Sequence, residues 1–364
     1  MKKNLAALAA PLLFSIGMTA GPVLADGGSG GKGLFIDRSV DTFAVLPNGV
    51  VNPEGITANP ANGDIYVSTF SAPFKLLRYN RHGRLLAQRD FAQPLLGLEF
   101  DRHHNKVYIT NVGNFVNVDS KVQRVSADLS NLEDVAIIPT IGAPGPRTVA
   151  NPDGSSDTIT FGSGAHVPNA LVFDSHGSLY VSDSFQGAIF KIANVAGCNL
   201  ATCNVETLTH DPQLATDGFP PFGANGLAFN KDESVLYVAN TGDDRVLQVN
   251  MVSGLREVTV LAESLNGADG LVFDKRSGLL WVCANQADEV VALNANGKVV
   301  AKLGEFRGIN RDGTPDGLLF PASPVIVGDD IFVTNLAIAL TGAAGDEPEE
   351  DVKLWTVSRM ELPH

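Results

Sequence analysis

The sequence predicts an all-β fold, a six-bladed β-propeller. Three observations carry this prediction. A motif recurs six times along the chain, its copies are spaced by about the length of one blade, and an N-terminal strand segment has no blade of its own. A propeller blade is a four-stranded sheet of about 40–50 residues, so a chain of 364 residues has room for six.

The repeated motif joins two apolar strand segments through a polar turn. Each copy begins with a short segment that usually contains glycine and continues into alternating apolar residues. After the turn comes an apolar run that ends in Ser, Thr, Asn or Asp. Such runs are typical of strands in a buried sheet. The copies span residues 53–69, 95–111, 168–183, 224–240, 268–285 and 315–335.

The spacing of the copies supports one blade for each. We call the residue before the glycine, or before the alanine that replaces it, the marker of a copy. Successive markers are 42, 73, 56, 44 and 47 residues apart. The longest interval contains residues 139–166, which are rich in turn formers and are predicted to be an insertion. The six markers are Glu54, Leu96, Asn169, Asn225, Asp269 and Asp316.

A third strand is predicted after each copy, and the last of these, at residues 352–357, is followed by no fourth strand. Residues 40–46 precede the first copy and belong to no blade. We expect this N-terminal segment to complete the last blade, because closing the ring removes exposed sheet edges. A β-sandwich is the alternative all-β fold, but it does not explain six similar units.

The composition excludes other classes of protein. With 44% hydrophobic residues the chain can form a core, so disorder is not expected. Its 37 glycines and 20 prolines, without sustained heptads, exclude a coiled coil. The formal net charge of −14 argues against nucleic acid as a partner, because an acidic surface repels phosphate groups.

The N-terminus has the pattern of a secretory signal peptide over residues 1–25. Two lysines precede an apolar run over residues 5–16, and small or aliphatic residues stand at 23–25. We therefore expect residues 26–364 to form a single propeller domain that is exported to the periplasm or the medium and keeps no membrane anchor. An uncleaved anchor is the alternative, but the apolar run is shorter than the ~20 residues of a span.

The cysteines agree with an oxidising compartment. Cys198 and Cys203 lie within the segment CNLATC and can close a short disulfide loop. A metal pair is the alternative, but no second pair follows at zinc-site spacing. Cys283 lies in an apolar run and is expected to be buried.

The markers begin the strands that line the channel of a propeller, so we expect them to meet at one channel mouth. Carboxylate and amide oxygens dominate the set, and these are the ligands of a hard divalent cation such as Ca²⁺. The alternative is that Asn-Gly and Asp-Gly only form turns. Glu54 is a poor turn former and Asn169 lacks the following glycine, which favours the metal site. Polar residues end the second strands and are expected to cap turns, and some of them to support the ion's ligands or to contact the substrate. They are Thr69, Asn111, Asp183, Asn240, Asn285 and Asn335.

Together these features resemble the calcium-dependent six-bladed propellers of the gluconolactonase/regucalcin (senescence marker protein) family. The resemblance covers about residues 34–360. Its motifs are NPEGI, PNALVF, ANGLAF and, as the strongest match, ADGLVFDKRSGLLWVCAN. In that family an early Glu, two Asn and an Asp bind the catalytic metal. The resemblance therefore implies four metal ligands: Glu54, Asn169, Asn225 and Asp269.

The resemblance implies a secreted metal-dependent hydrolase that acts on a lactone or related ester in the central channel. Asp269 would bind the ion and also guide water or act as a base. Asp316 and His166 would orient the ligands or contact the small-molecule substrate. A metal-dependent hydrolase of this kind needs no serine nucleophile. The main alternative is a non-catalytic secreted propeller similar to the NHL-repeat proteins that binds a protein or small ligand, and a propeller lyase acting on an ester-containing ring is a third hypothesis.

Overall fold

The strands form six antiparallel sheets around a common channel, as the repeats predict. The structure is a computed structural model and describes residues 33–114 and 117–363. The signal-peptide prediction for residues 1–25 lies outside the described residues. Each first strand packs against the first strands of both neighbouring blades, and contacts between blades six and one complete the ring.

The strands are numbered in chain order. Two short strands precede the first blade: β1 (Phe35–Asp37) and β2 (Asp41–Val45). Blade one contains β3 (Pro53–Ala58), β4 (Ile65–Thr69), β5 (Lys75–Tyr79) and β6 (Leu85–Asp90). Blade two contains β7 (Leu95–Asp101), β8 (Lys106–Asn111), β9 (Lys121–Ser126) and β10 (Glu133–Ile137). A hairpin follows, with β11 (Arg147–Ala150) and β12 (Ser156–Ile159).

The remaining blades follow the same plan. Blade three contains β13 (Pro168–Phe173), β14 (Leu179–Asp183), β15 (Ala188–Ile192) and β16 (Val205–His210). Blade four contains β17 (Ala224–Phe229), β18 (Val235–Asn240), β19 (Arg245–Asn250) and β20 (Val258–Glu263). Blade five contains β21 (Ala268–Asp274), β22 (Leu279–Ala284), β23 (Glu289–Leu293) and β24 (Val299–Leu303). A second hairpin, β25 (Phe306–Ile309) with β26 (Pro315–Gly317), precedes blade six, which contains β27 (Pro321–Val327), β28 (Asp330–Asn335) and β29 (Thr356–Glu361).

Helical structure in the described residues is limited to three 3₁₀ turns. None of the helices in this part of the chain has the length and apolar character needed to cross a membrane. The turns span Val195–Gly197, Asn285–Ala287 and Pro348–Asp351.

The N-terminal strand closes the ring, which confirms the prediction for residues 40–46. Strand β2 pairs antiparallel with β29, with Asp41 opposite Arg359. Strand β1 was not foreseen. It pairs in parallel with β24, placing Phe35 opposite Ala301, and so covers the outer edge of blade five.

Blade six corrects two predictions. Its third strand begins at Thr356, so the segment predicted at residues 352–357 overlaps it by only two residues. The expectation that Asp316 begins a channel-lining strand is also wrong, because residues 315–317 pair with β25 in the second hairpin. The first strand of this blade is β27, whose opening Pro321 lies opposite Asn335.

The predicted insertion at residues 139–166 lies between the last strand of blade two and the first strand of blade three. It contains the β11–β12 hairpin, in which Arg147 lies opposite Ile159. Since fourth strands end and first strands begin at the channel mouth, the insertion joins the loops of that face.

All six first strands share a β-bulge at their start. The register against the second strand shifts between the first and fourth residues of each, for example between Pro53 and Ile56 in blade one and between Pro321 and Pro324 in blade six. The shift recurs in the other four blades. A bulge leaves a residue unpaired and re-aims its side chain. Five of the six markers lie in these bulges, and Ala322 holds the equivalent position in blade six.

The inner strands approach so closely that a side chain would not fit after the marker. A Cβ atom on Gly55 would lie 2.1 Å from the carbonyl oxygen of Leu96 in the next blade. A Cβ on Gly97 would lie 2.3 Å from the oxygen of Asn169. The marker's backbone in one blade therefore packs directly on the glycine of the previous blade.

Hydroxyl groups of the second strands bind the same carbonyl oxygens. Ser68 Oγ donates to Leu96 O at 2.5 Å, from blade one to blade two. Thr334 Oγ1 donates to Glu54 O at 2.6 Å, from blade six back to blade one. Equivalent bonds link blade two to three and blade three to four, through Thr110 to Asn169 O and Ser182 to Asn225 O. These bonds satisfy carbonyl groups that the bulge leaves unpaired.

Apolar side chains fill the wedges between neighbouring sheets. Tyr66, Tyr108, Phe190 and Trp281 are among the largest fully buried side chains. Cys283 is buried as predicted, and Cys198 and Cys203 are joined by a disulfide with an S–S distance of 1.98 Å.

Replacing Gly97 by alanine should destabilise the fold by about 1–3 kcal/mol, because the new methyl group overlaps the backbone of the next blade. Gly254→Ala is the matched control, since a Cβ there meets nothing within 4 Å. Urea unfolding of the two variants measures the difference. Equal midpoints would contradict the close packing described here.

Thiol titration tests the cysteine arrangement. The unfolded, unreduced protein should react with one equivalent of a thiol reagent, at Cys283, and the folded protein with none because Cys283 is fully buried. Three reactive thiols in the unfolded protein would contradict the disulfide.

Candidate functional site

Four of the predicted ligands line one cavity at the channel mouth. Glu54, Asn169, Asn225 and Asp269 come from the bulges of blades one, three, four and five, and they enclose a volume of about 90 Å³ together with Leu96 of blade two. Each of the four is at most 6% exposed. Because the bulges stand at the same height on six strands, residues far apart in sequence are brought to one point.

The sixth bulge holds Ala322, not an acid. Asp316 lies in the second hairpin, where its Oδ1 accepts from Arg307 Nη2 at 2.6 Å, and its side chain is 43% exposed. The structure therefore removes Asp316 from the ring. His166 also lies elsewhere: its Nδ1 is 3.0 Å from Thr140 Oγ1, and it is not among the described residues that line the cavity.

The two asparagines are held by hydroxyl groups of their own blades. Asn169 Nδ2 donates to Ser184 Oγ at 3.1 Å, and that hydroxyl donates to Ala224 O of the next blade. Asn225 Nδ2 donates to Thr241 Oγ1 at 3.0 Å, and Thr241 donates to Ala268 O. Since the amide nitrogens are used in this way, the amide oxygens are the groups left for a ligand.

The two carboxylates carry oxygen atoms without partners. Asn285 Nδ2 donates to Asp269 Oδ2 at 3.0 Å, but Asp269 Oδ1 is buried with no hydrogen-bond partner among the described residues. Glu54 Oε2 and Asn285 Oδ1 are likewise buried without a hydrogen-bond partner among the described residues. Buried polar atoms are normally satisfied, so several unsatisfied acceptors in one cavity point to a missing cationic ligand.

The electrostatics agree with this interpretation. Burial raises the pKa of Glu54 well above its usual range, and the neighbouring Asp269 charge raises it further. Burial also raises the pKa of Asp269, although hydrogen bonds from Asn285 and Asn225 partly oppose the shift. Two buried carboxylates this close are costly to ionise together unless a cation lies between them. The donor set, with oxygen atoms only, fits a hard divalent cation.

The bulge residues of the six blades form a first ring around the channel mouth. A second ring of residues surrounds this first ring and was only partly predicted. It consists of the residue that follows each second strand: Phe70, Val112, Ser184, Thr241, Asn285 and Leu336. The sequence alignment placed Asn285 at a strand end, but Ala284 holds that position opposite Ala268, so Asn285 is equivalent to Thr241. The strand-end residues themselves mostly bind nearby backbone or neighbouring side chains, as expected of turn caps. Asp183, for example, accepts from the backbone N–H groups of Val167 and Gln186.

An apolar wall completes the cavity and was missed from the sequence. It is formed by Phe70, Phe222, Phe320, Leu336, Ile338 and Leu340. Most of these side chains stand on connections between strands, where no repeat pattern marks them. The Pro-x pair of Pro53-Glu54 and Pro168-Asn169 recurs as Pro321-Ala322 but also as Pro315-Asp316, so it does not by itself identify the sixth bulge.

Comparison with known proteins supports the family resemblance over part of the chain. Residues 208–304 match the sequence model of a family described as the SMP-30/gluconolactonase/LRE-like region. This stretch runs from the last strand of blade three to the end of blade five and contains Asn225 and Asp269. The resemblance predicted from the sequence is therefore confirmed there. No curated protein matches the chain in sequence.

Solved structures extend the likeness of fold to most of the chain. A luciferin-regenerating enzyme has a TM-score of 0.58 at 14% identity, over 86% of this chain and 92% of its own. Regucalcin from Agrobacterium tumefaciens, a calcium-binding protein, has a TM-score of 0.57 at 16% identity, over 89% and 94%. A gluconolactonase from Xanthomonas campestris has a TM-score of 0.55 at 15% identity, over 88% and 89%. These similarities show a common fold.

The substitution Glu54→Gln should stabilise the chelator-treated protein, by on the order of 1 kcal/mol, because it removes one of two buried like charges. A carboxyl group with a raised pKa in the folded state favours folding at low pH, and this contribution is lost as the pH rises towards the raised pKa. The advantage of the variant should therefore be larger at pH 8 than at pH 5.

Thermal unfolding in chelator at both pH values measures this effect, with the exposed Glu257→Gln as the control. A variant that is less stable than the wild type at pH 8 would contradict the burial of two uncompensated carboxylates.

Proposed function

We propose that the protein is a metal-dependent hydrolase that acts on a lactone or related ester at the mouth of its channel. The observation that carries this proposal is the pair of buried carboxylates, each with an unpartnered oxygen, beside two amide side chains in one cavity. Ca²⁺ is the ion that this oxygen-only donor set favours.

Four side chains would hold the ion: Glu54, Asn169, Asn225 and Asp269. When bound, a divalent cation supplies Lewis acidity that stabilises negative charge on a carbonyl oxygen. Asn285 fixes one oxygen of Asp269, so the other, Oδ1, has a defined position at the cavity surface. That oxygen can orient a water molecule and accept its proton as the water attacks the ester carbonyl. The ester C–O bond then breaks, and the leaving oxygen takes up the proton from Asp269.

Hydroxyl groups near the cavity are unsuited to act as nucleophiles. Ser184 and Thr241 each accept from an asparagine and donate to a backbone carbonyl oxygen. No histidine or lysine lines the cavity among the described residues, so neither hydroxyl has a base to activate it. Water activated at Asp269 is therefore the nucleophile that the site supports best.

Two proteins of similar fold favour the same chemistry. The structural neighbours include a calcium-binding regucalcin and a gluconolactonase. We further propose that the protein acts on a small molecule outside the cytoplasm, in the periplasm or the medium. The signal-peptide pattern of residues 1–25 and the Cys198–Cys203 disulfide support export.

Hydrolysis of a panel of lactones and aryl esters tests the proposal. With Ca²⁺ the wild type should hydrolyse at least one member, and excess chelator should remove the activity. Glu54→Gln and Asp269→Asn should each lower kcat/KM by about 100-fold or more, because each removes a charge next to the reacting carbonyl. Asp232→Asn, on an exposed turn at the opposite face, should match the wild type.

Two results would overturn this function. Hydrolysis that survives in both variants would remove the site assignment. A protein that neither binds a divalent ion nor hydrolyses any member of the panel would instead be a non-catalytic binding propeller.

A further inference from the structure

The rim of the cavity is divided into a polar side and an apolar side. In blades three, four and five, both rings contribute polar residues, such as Asn169 with Ser184 and Asp269 with Asn285. In blades two and six, both rings are apolar: Leu96 with Val112, and Ala322 with Leu336. Blade one joins the two sides, because Glu54 belongs to the polar floor and Phe70 to the apolar wall.

The apolar side is a continuous surface. Phe70 packs against one cluster around Leu96, Val112 and Val167, together with Phe222. It also packs against a second cluster around Phe320 and Leu336, together with Ile338 and Leu340. Phe70, Phe222, Ile338 and Leu340 remain only partly buried, so their side chains offer apolar area to a ligand. The ring of Phe222 is itself held by Phe185, with the ring centroids 5.5 Å apart.

The polar side offers mainly hydrogen-bond acceptors. The amide groups of Asn169, Asn225 and Asn285 each use one N–H, towards Ser184, Thr241 and Asp269. The Thr241 hydroxyl donates to Ala268 O. No lysine, arginine or histidine is among the described residues that line the cavity. The side chains of the apolar side offer no hydrogen-bond partner, so a polyol would leave the hydroxyl groups that face this side unpaired. An anionic substrate would lack a cationic side chain to bind.

From this division we propose a substrate class: a neutral lactone or ester with an apolar alkyl or aryl substituent, rather than a sugar lactone. The inference rests on the proposed hydrolase function and adds the class of substrate to it. The ester group would lie over the polar floor, and the substituent would lie against Phe70 and the apolar wall. The enclosed volume of about 90 Å³ suits a small ring, with the substituent extending along the wall.

Competitive kinetics and direct binding test this class together. The hydrolysis arm compares a series of γ-alkyl butyrolactones with glucono-1,5-lactone. The binding arm uses the corresponding γ-alkyl lactams, with gluconamide as the polar ligand, in calorimetric titrations with Ca²⁺ present. Because lactams resist hydrolysis, the titrations measure binding to the apolar wall even if the protein hydrolyses no lactone.

Both kcat/KM and lactam affinity should rise about threefold for each added methylene until the wall is covered. The polar ligands should be at least tenfold poorer than the longest alkyl member. Phe70→Ala should flatten the chain-length dependence of both kcat/KM and lactam affinity. Phe70→Leu keeps an apolar side chain and should retain most of the chain-length dependence. This variant replaces Phe70→Ala in the experiment if the alanine variant does not fold. Leu255→Ala, at a side chain 90% exposed, is the control.

The outcomes separate this inference from the function on which it rests. A preference for the sugar lactone and gluconamide, or an affinity independent of chain length, would overturn the substrate class while the hydrolase proposal stands. Chain-length-dependent lactam binding without hydrolysis of any lactone would support the apolar wall and overturn the hydrolase. A Phe70→Ala variant that folds and keeps the full chain-length dependence would overturn the role of the wall.

Discussion

The close approach of six strands around the channel is the constraint on which the rest of the structure depends. The carbonyl groups of bulge residues such as Leu96 and Asn169 pack on the residue that follows the bulge residue of the previous blade. That residue is glycine at positions such as Gly55 and Gly97, because a Cβ there would overlap the backbone. Hydroxyl groups such as those of Ser68 and Thr334 bind the same carbonyl groups from the neighbouring blade. Spacing between blades is thus set by backbone contact and not only by side-chain packing.

This constraint also builds the site. Because the bulges lie at one height and their backbones are fixed by neighbouring blades, the marker side chains have little freedom to move apart. Glu54 and Asp269 are therefore held in one cavity although their charges repel each other. Such an arrangement destabilises the empty protein and favours a bound cation, which relieves the repulsion. Without a cation, these two carboxylates lower the free energy of unfolding, and a bound cation would raise it again.

The repeats made the fold predictable from the sequence, including ring closure by the N-terminal strand. The four ligands were also predicted, because an acid or amide at the marker position stood out from the apolar pattern. The prediction for the sixth blade was wrong. Asp316-Gly317 has the sequence of the motif but lies in a hairpin, whereas the bulge residue is Ala322, which is apolar and is not followed by glycine. Asn285 was assigned one position early because the residue type was matched and not the spacing, since Ala284 lies 15 residues after Asp269, just as Asn240 lies 15 residues after Asn225. The apolar wall stands on connections between strands, and which connections meet depends on the closed ring.

The central claim is that the bulges of blades one, three, four and five form one cation site. Its most direct test is an anomalous difference map from crystals of the protein grown with Ca²⁺. The structure predicts a single strong peak within bonding distance of Glu54, Asn169, Asn225 and Asp269, which is lost in crystals of Glu54→Gln. A map with no peak in this cavity at saturating Ca²⁺, or with a peak that persists unchanged in the variant, would contradict the account.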